Sequence, residues 1–185
     1  MALTHATITK RLKNVVSTCK KTASSADETL FFKNFNDKWS IAENLIHLVK
    51  SVKGLSKAFA MPKEQLIVAF GKPNHPSISY KILFEKYKAF LAKGIIPSVA
   101  AATFAPQITE GDTLKSVVEL FDLHHNNFIE SLKYFTEEEL DNYQIPHPAL
   151  GNLTVREMLY FTIFHIEHHT HTIAKLVENK TLQAV

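Results

Sequence analysis

Between Ser40 and Phe59 the apolar residues Ile41, Leu45, Leu48, Val52, Leu55 and Phe59 recur every three or four positions. That spacing gathers side chains on one face of an α-helix and would scatter them over both faces of a strand. Three more stretches carry the same period. Residues 7–26 place Ile8, Leu12, Val15, Val16 and Cys19 together, and residues 113–134 do so for Leu114, Val117, Val118, Phe121, His125, Phe128 and Leu132. Residues 154–178 align Val155, Leu159, Thr162, Ile166, His169, Ile173 and Val177. With only 5 glycines and no sustained apolar/polar alternation, the chain gives strands little support. Four amphipathic helices of this length bury their stripes most simply against one another, so the expected fold is all-α, a four-helix bundle. At 185 residues, 45% of them hydrophobic, the chain suits one core, and residues 1–185 are read as a single domain.

Two helix starts are marked chemically. Ser40 with Glu43, and Thr154 with Glu157, have the spacing of a capping box, in which each side chain satisfies a backbone N–H at the other end. Residues 61–112 form a long connection between the second and third bundle helices, punctuated by Pro62, Gly71, Pro73, Pro76, Gly94, Pro97, Pro106 and Gly111. A structureless loop of that length is uncommon. Within it Leu83, Phe84, Tyr87 and Leu91 keep helical spacing, which predicts a short accessory helix over residues 80–92 covering one end of the bundle.

The charge pattern narrows the partners. Lys and Arg number 21 against 18 Asp and Glu, scattered along the chain instead of gathered in a run, which argues against nucleic acid. Cys19 is the only cysteine, so neither an internal disulfide nor a thiolate metal site is available, and its place on an apolar stripe reads as packing. The first residues lack the apolar core of a signal peptide, and no run reaches the ~18 apolar residues of a membrane span. A soluble, cytoplasmic protein without a membrane partner is the expectation. A G-x-S-x-G elbow and phosphate-cradling glycine loops are both missing from the sequence.

The densest chemistry lies in His165–Ile173, HIEHHTHTI, four histidines in seven positions. Each helical residue is rotated by about 100° from the last, which sorts them. His165 and His169 fall about 40° apart beside the apolar stripe, so their rings share one inter-helix space. His168 and His171 turn toward solvent, and Glu167 points away from the inward pair. An HxxxH pair of this kind can hand two nitrogens to one metal, although two hydrogen-bonded histidines would look the same. The second helix offers His47, flanked by Asn44 and Ser51, and periodicity alone leaves its role open. His125, near the middle of the third stripe, reads as a core histidine or as a further ligand or base.

Two stretches carry a resemblance. DKWSIAENLIHL, from Asp37 to Leu48, and HPALGNLTVREMLYFTIFHIEHHTHTI, from His147 to Ile173, resemble the DinB/YfiT-like superfamily of metalloenzymes. In that family a Trp-Ser pair, here Trp39 and Ser40, opens the second bundle helix and a histidine follows, here His47. A turn of the type H-P-x-L-G, here His147, Pro148, Leu150 and Gly151, leads into the helix with HxxxH, here His165 and His169. The resemblance implies a three-histidine site of His47, His165 and His169 for a divalent metal, zinc or nickel by ligand type. One departure is visible, since Thr172 stands where the family often has Gln. The implied activity is transfer of a low-molecular-weight thiol to an electrophile, with metal-assisted hydrolysis or a non-catalytic stress-related module as alternatives. A small-molecule substrate and a homodimer are implied with it, and His125 is the candidate for a catalytic role.

Overall fold

The computed structural model describes residues 2–35, 38–93 and 104–183, with side chains to residue 178. Four long helices carry the core: α1 (His5–Ala23), α3 (Ile41–Phe59), α6 (Leu114–Ser131) and α8 (Val155–Gln183). Shorter elements link them: α2 (Glu28–Phe32), α4 (Lys63–Phe70), α5 (Tyr80–Leu91), a 3-10 turn over Leu132–Tyr134, and α7 (Glu139–Asn142). A hairpin of β1 (Gln144–His147) and β2 (Gly151–Thr154) precedes α8. The expected all-α four-helix bundle is what the chain adopts. α1 packs on α8 and α6, and α3 packs on the same two partners, so α3 and α8 are neighbours across the bundle.

The caps explain where the helices begin. Ser40 Oγ accepts from the Glu43 N–H at 3.1 Å while Glu43 accepts from the Ser40 N–H at 2.7 Å, closing the box at the start of α3. Thr154 and Glu157 repeat it at 3.1 and 2.8 Å. Glu157 is fully buried, and it also accepts the Ile78 N–H at 2.8 Å, tying the long connection to α8. Each such cap is worth about 1 kcal/mol. The stripes read from the sequence fill the core, with Ile8, Leu12, Ile41, Leu45, Phe121, Phe128, Leu159 and Ile173 all at 1% exposure or less.

Among the described residues the connection holds α4 as well as the expected helix α5. α4 begins after Pro62 and stops at Gly71, whose φ of +75° suits glycine alone. Its Leu66, Ile67, Val68, Ala69 and Phe70 run without polar interruption, so no helical period was legible, and only Leu66 is buried. The breakers Gly94 and Pro97 lie outside the described residues. The turn from His147 to Gly151 belongs to a true hairpin, with His147 opposite Gly151 and Gln144 opposite Thr154. Strands of four residues are too short to show alternation. Among the described residues no helix is long and apolar enough to cross a membrane.

Candidate metal centre

α3 and α8 bring three histidines together. His47 Nε2 lies 3.1 Å from His165 Nε2, which lies 3.1 Å from His169 Nε2, and one nitrogen from each ring falls within 4.8 Å of the others. The helical rotation places the rest as expected: His165 and His169 are each 8% exposed, while His168, His171 and Glu167 are exposed. Glu167 accepts a hydrogen bond from Tyr80 Oη at 3.1 Å, well away from the three rings' meeting point.

The far sides of two rings are anchored, and the anchors fix their tautomers. His47 Nδ1–H donates to the Phe104 carbonyl at 2.8 Å, which leaves Nε2 as a lone pair. His169 Nδ1–H donates to Asn44 Oδ1 at 2.7 Å, with the same result. Asn44 is 2% exposed, and its own amide donates to the Ser40 and Trp39 carbonyls at 2.8 and 3.2 Å, so the acceptor cannot swing away. Trp39 covers the pair from outside, its ring 4.8 Å from that of His47 and 6.2 Å from that of His169. Phe161 stacks on His165 at 5.1 Å.

Burial holds all three rings neutral. It pushes His165 and His169 well below the ordinary histidine range, with the mutual repulsion of the cluster adding to the effect. His47 is lowered by burial against the opposing pull of its bond to Phe104. Neutral imidazoles whose Nε2 atoms converge, two of them with the lone pair already free and His165 needing only its Nδ1–H tautomer, fit the donor set that a divalent ion requires. Nitrogens each about 2.0–2.1 Å from one tetrahedral zinc sit about 3.3 Å apart, and two of the separations here, at 3.1 Å, are close to that. Nitrogen-only ligation is compatible with a divalent transition metal.

The three rings stand on the wall of a chamber of about 800 Å³. Its described lining is mostly apolar, includes six histidines and no Asp or Glu, and carries one fixed charge, Lys38. His125 is on that wall but outside the cluster of three. It is 2% exposed, and its Nδ1–H donates to the Phe121 carbonyl at 2.8 Å. Burial pushes its pKa down to about 4; the bond to Phe121 and the Asp122 carboxylate oppose that, and His124 adds to it. His147 is the residue whose chemistry the sequence left unread. Its Nδ1 accepts the Ala149 and Leu150 N–H groups at 3.1 Å each, and burial brings its pKa to about 4. Cys19 is a packing residue as expected, fully buried, its thiol pushed up to about 11 by burial.

A four-helix bundle with a largely buried, neutral histidine triad at the edge of an apolar chamber defines a class of candidate metal-binding proteins. The sequence model of the DinB superfamily matches residues 7–173, and the chain belongs to that superfamily. Among solved structures it is similar to YfiT from Bacillus subtilis, described as a probable metal-dependent hydrolase with an unusual four-helix bundle topology. The identity is 15% over 96% of this chain and 87% of that one, with a TM-score of 0.65. It is also similar to the colibactin self-resistance protein ClbS in complex with double-stranded DNA, at 13% identity, 94% coverage of both chains and a TM-score of 0.56. No curated protein matches the chain.

The second likeness corrects the exclusion of nucleic acid as a partner. A protein of this fold has been solved with duplex DNA bound, so scattered basic residues do not exclude that partner. The physical reason is that phosphate contacts come from charges close in space, which helices far apart in sequence can supply without any basic run.

Proposed function

We propose that this protein is a metal-dependent enzyme in which His47, His165 and His169 hold one divalent ion, zinc or nickel, beside a chamber that takes a small-molecule substrate. The observation that carries the reading is the meeting of three Nε2 atoms at the chamber wall, two of them freed by bonds at the opposite nitrogen. A bound divalent cation would lower the pKa of a thiol or a water molecule and so supply a nucleophile at neutral pH. The chain's own contribution is to orient three neutral rings, to keep the surroundings apolar and to leave one side open to the chamber.

The most concrete reaction is transfer of a low-molecular-weight thiol to an electrophile. The described lining supports it by what it offers, since no carboxylate is present to take a proton from water. A thiol with an ordinary pKa of about 8.5 asks far less of a base than water does. Hydrolysis is the second reading, favoured by the description of YfiT. It would turn to His125, whose Nε2 keeps a lone pair, but a group with a pKa of about 4 is a poor base at neutral pH.

Metal analysis of the purified chain tests the site, with about one ion per chain expected, lost in His165→Ala and kept in His168→Ala. Conjugation of 1-chloro-2,4-dinitrobenzene to a panel of thiols, with and without chelator, tests the reaction. Chelator-insensitive rates equal to the uncatalysed ones would leave a non-catalytic metal-binding module.

A further inference from the structure

His147 sits on the chamber wall with an unused donor. A backbone N–H can only donate, so the Nδ1 that accepts from Ala149 and Leu150 carries no proton, and the neutral ring must hold its proton on Nε2. Those two bonds close the turn between β1 and β2, and they fix the ring's orientation as well as its tautomer. The Nε2–H has no partner among the described residues, although the ring is only 8% exposed. Every fully enclosed side-chain nitrogen or oxygen among the described residues does have a partner. Among the described residues nothing meets or encloses the Nε2–H, and the space that His147 borders is the chamber.

Its position relates it to the histidine cluster. Phe161 lies between, its ring 4.2 Å from that of His147 and 5.1 Å from that of His165. A molecule with one end at the three Nε2 atoms and a body lying over Phe161 would bring its other end to His147. His125 shows the opposite arrangement on the same wall, since a carbonyl can only accept: its Nδ1 holds the proton and its Nε2 is a lone pair. Apart from the cluster of three, the described lining thus holds two buried histidines locked in opposite tautomers, and of these two only His147 presents a donor. A donor at an apolar wall is best satisfied by a ligand that brings an acceptor, which favours such ligands over isosteres without one.

We infer that His147 is the substrate-positioning residue of the chamber, its Nε2–H binding the carbonyl or other neutral oxygen acceptor of a predominantly apolar small molecule. The inference rests on the reading of the chamber as a substrate site, and not on which metal the three other histidines hold. A buried donor of this kind discriminates by hydrogen bond, rejecting an isostere without the oxygen more strongly than an apolar pocket could reject it by shape.

The test uses the full chain labelled with 15N-histidine, with and without added zinc, and two probes of matched shape, cyclohexanone and methylenecyclohexane. Zinc uptake reports the metal reading separately, so loss of the one does not imply loss of the other. In the free protein Nε2 of His147 is expected to resonate as a protonated nitrogen and Nδ1 as an unprotonated one. Cyclohexanone should move the Nε2–H resonance and bind about fivefold more tightly than methylenecyclohexane, the ratio expected of one net hydrogen bond. His147→Asn is the decisive variant, because its Oδ1 can accept the same two backbone N–H groups in an Asx turn while Nε2–H is gone. It should keep the melting temperature close to that of the wild type and lose the preference between probes. A proton found on Nδ1, equal affinity for the two probes, or a preference that survives in a folded His147→Asn protein would each overturn the assignment.

Discussion

His169 Nδ1 donates to Asn44 Oδ1 at 2.7 Å across the interface of α3 and α8, and this bond decides which nitrogen of His169 faces the other two rings. Asn44→Ala removes the acceptor and frees the ring to rotate or to change tautomer. Loss of such an orienting partner typically costs 10–100-fold in metal affinity. Zinc affinity measured by competition with a chromophoric chelator should fall by about that factor, while the far-UV circular dichroism stays helical. Undiminished affinity would remove Asn44 from the site.

Trp39 is the only tryptophan in the chain, and its ring lies nearly parallel to that of His169, at 13°, with His47 closer still at 4.8 Å. Its emission should therefore report what happens at the three nitrogens. Titration with nickel is expected to quench it saturably with a stoichiometry of one. The quench should disappear in His169→Ala and persist in His171→Ala, whose side chain points to solvent. A quench of equal size in both variants would place the ion elsewhere.

The bundle was legible because period and rotation are local properties of the chain. The stripes on α1, α3, α6 and α8 and the two capping boxes need nothing from distant residues, and rotation alone divided His165 and His169 from His168 and His171. Convergence across helices was not legible that way, and the third histidine, His47, came from the resemblance. What fixes its tautomer, the carbonyl of Phe104, is a backbone atom with no sequence signature at all. Asn44 was visible only as a small polar neighbour of His47, and His147 only as part of a turn, because their bonds depend on tertiary placement. α4 was missed because its apolar run has no helical period, so propensity and Pro62 were the only signals available.

Arg156, on the first turn of α8, is 3% exposed yet makes no contact with the candidate site. Its guanidinium donates to both carboxylate oxygens of Asp141 at 2.7 and 2.8 Å and to the Glu137 carbonyl at 2.9 Å, and it also binds the Leu3 carbonyl. It thereby pins the segment before α1 and the segment around α7 to the start of α8. Breaking a buried pair by removing one partner costs about 3–5 kcal/mol; with Asp141 partly exposed, Arg156→Ala is expected near the lower end, about 3 kcal/mol. Urea unfolding measures this. Metal affinity per folded molecule should be unchanged, which separates this structural role from that of Asn44.

Acid should weaken the fold before the carboxylates titrate. In the unfolded chain a histidine takes up its proton near pH 6.5, whereas burial keeps His125 and His147 neutral in the folded protein down to about pH 4. Between those values the unfolded state binds more protons. The stability that each neutral ring contributes is present in full above pH 6.5 and is lost as the pH falls toward 4, up to about 3 kcal/mol per ring. The carboxylates act lower, because the Arg156 guanidinium holds Asp141, and the His5 N–H together with Arg156 holds Glu137, ionised below the ordinary range. Urea midpoints measured with chelator present at pH 7, 6, 5 and 4.5 should therefore fall steadily, with little further loss above pH 6.5. His125→Gln, which cannot titrate, should show a shallower slope across that window whatever its stability at pH 7. Identical slopes for the two proteins would mean that His125 is protonated in the fold at pH 5, and that the bond from its Nδ1 to Phe121 does not leave a bare Nε2 in the chamber.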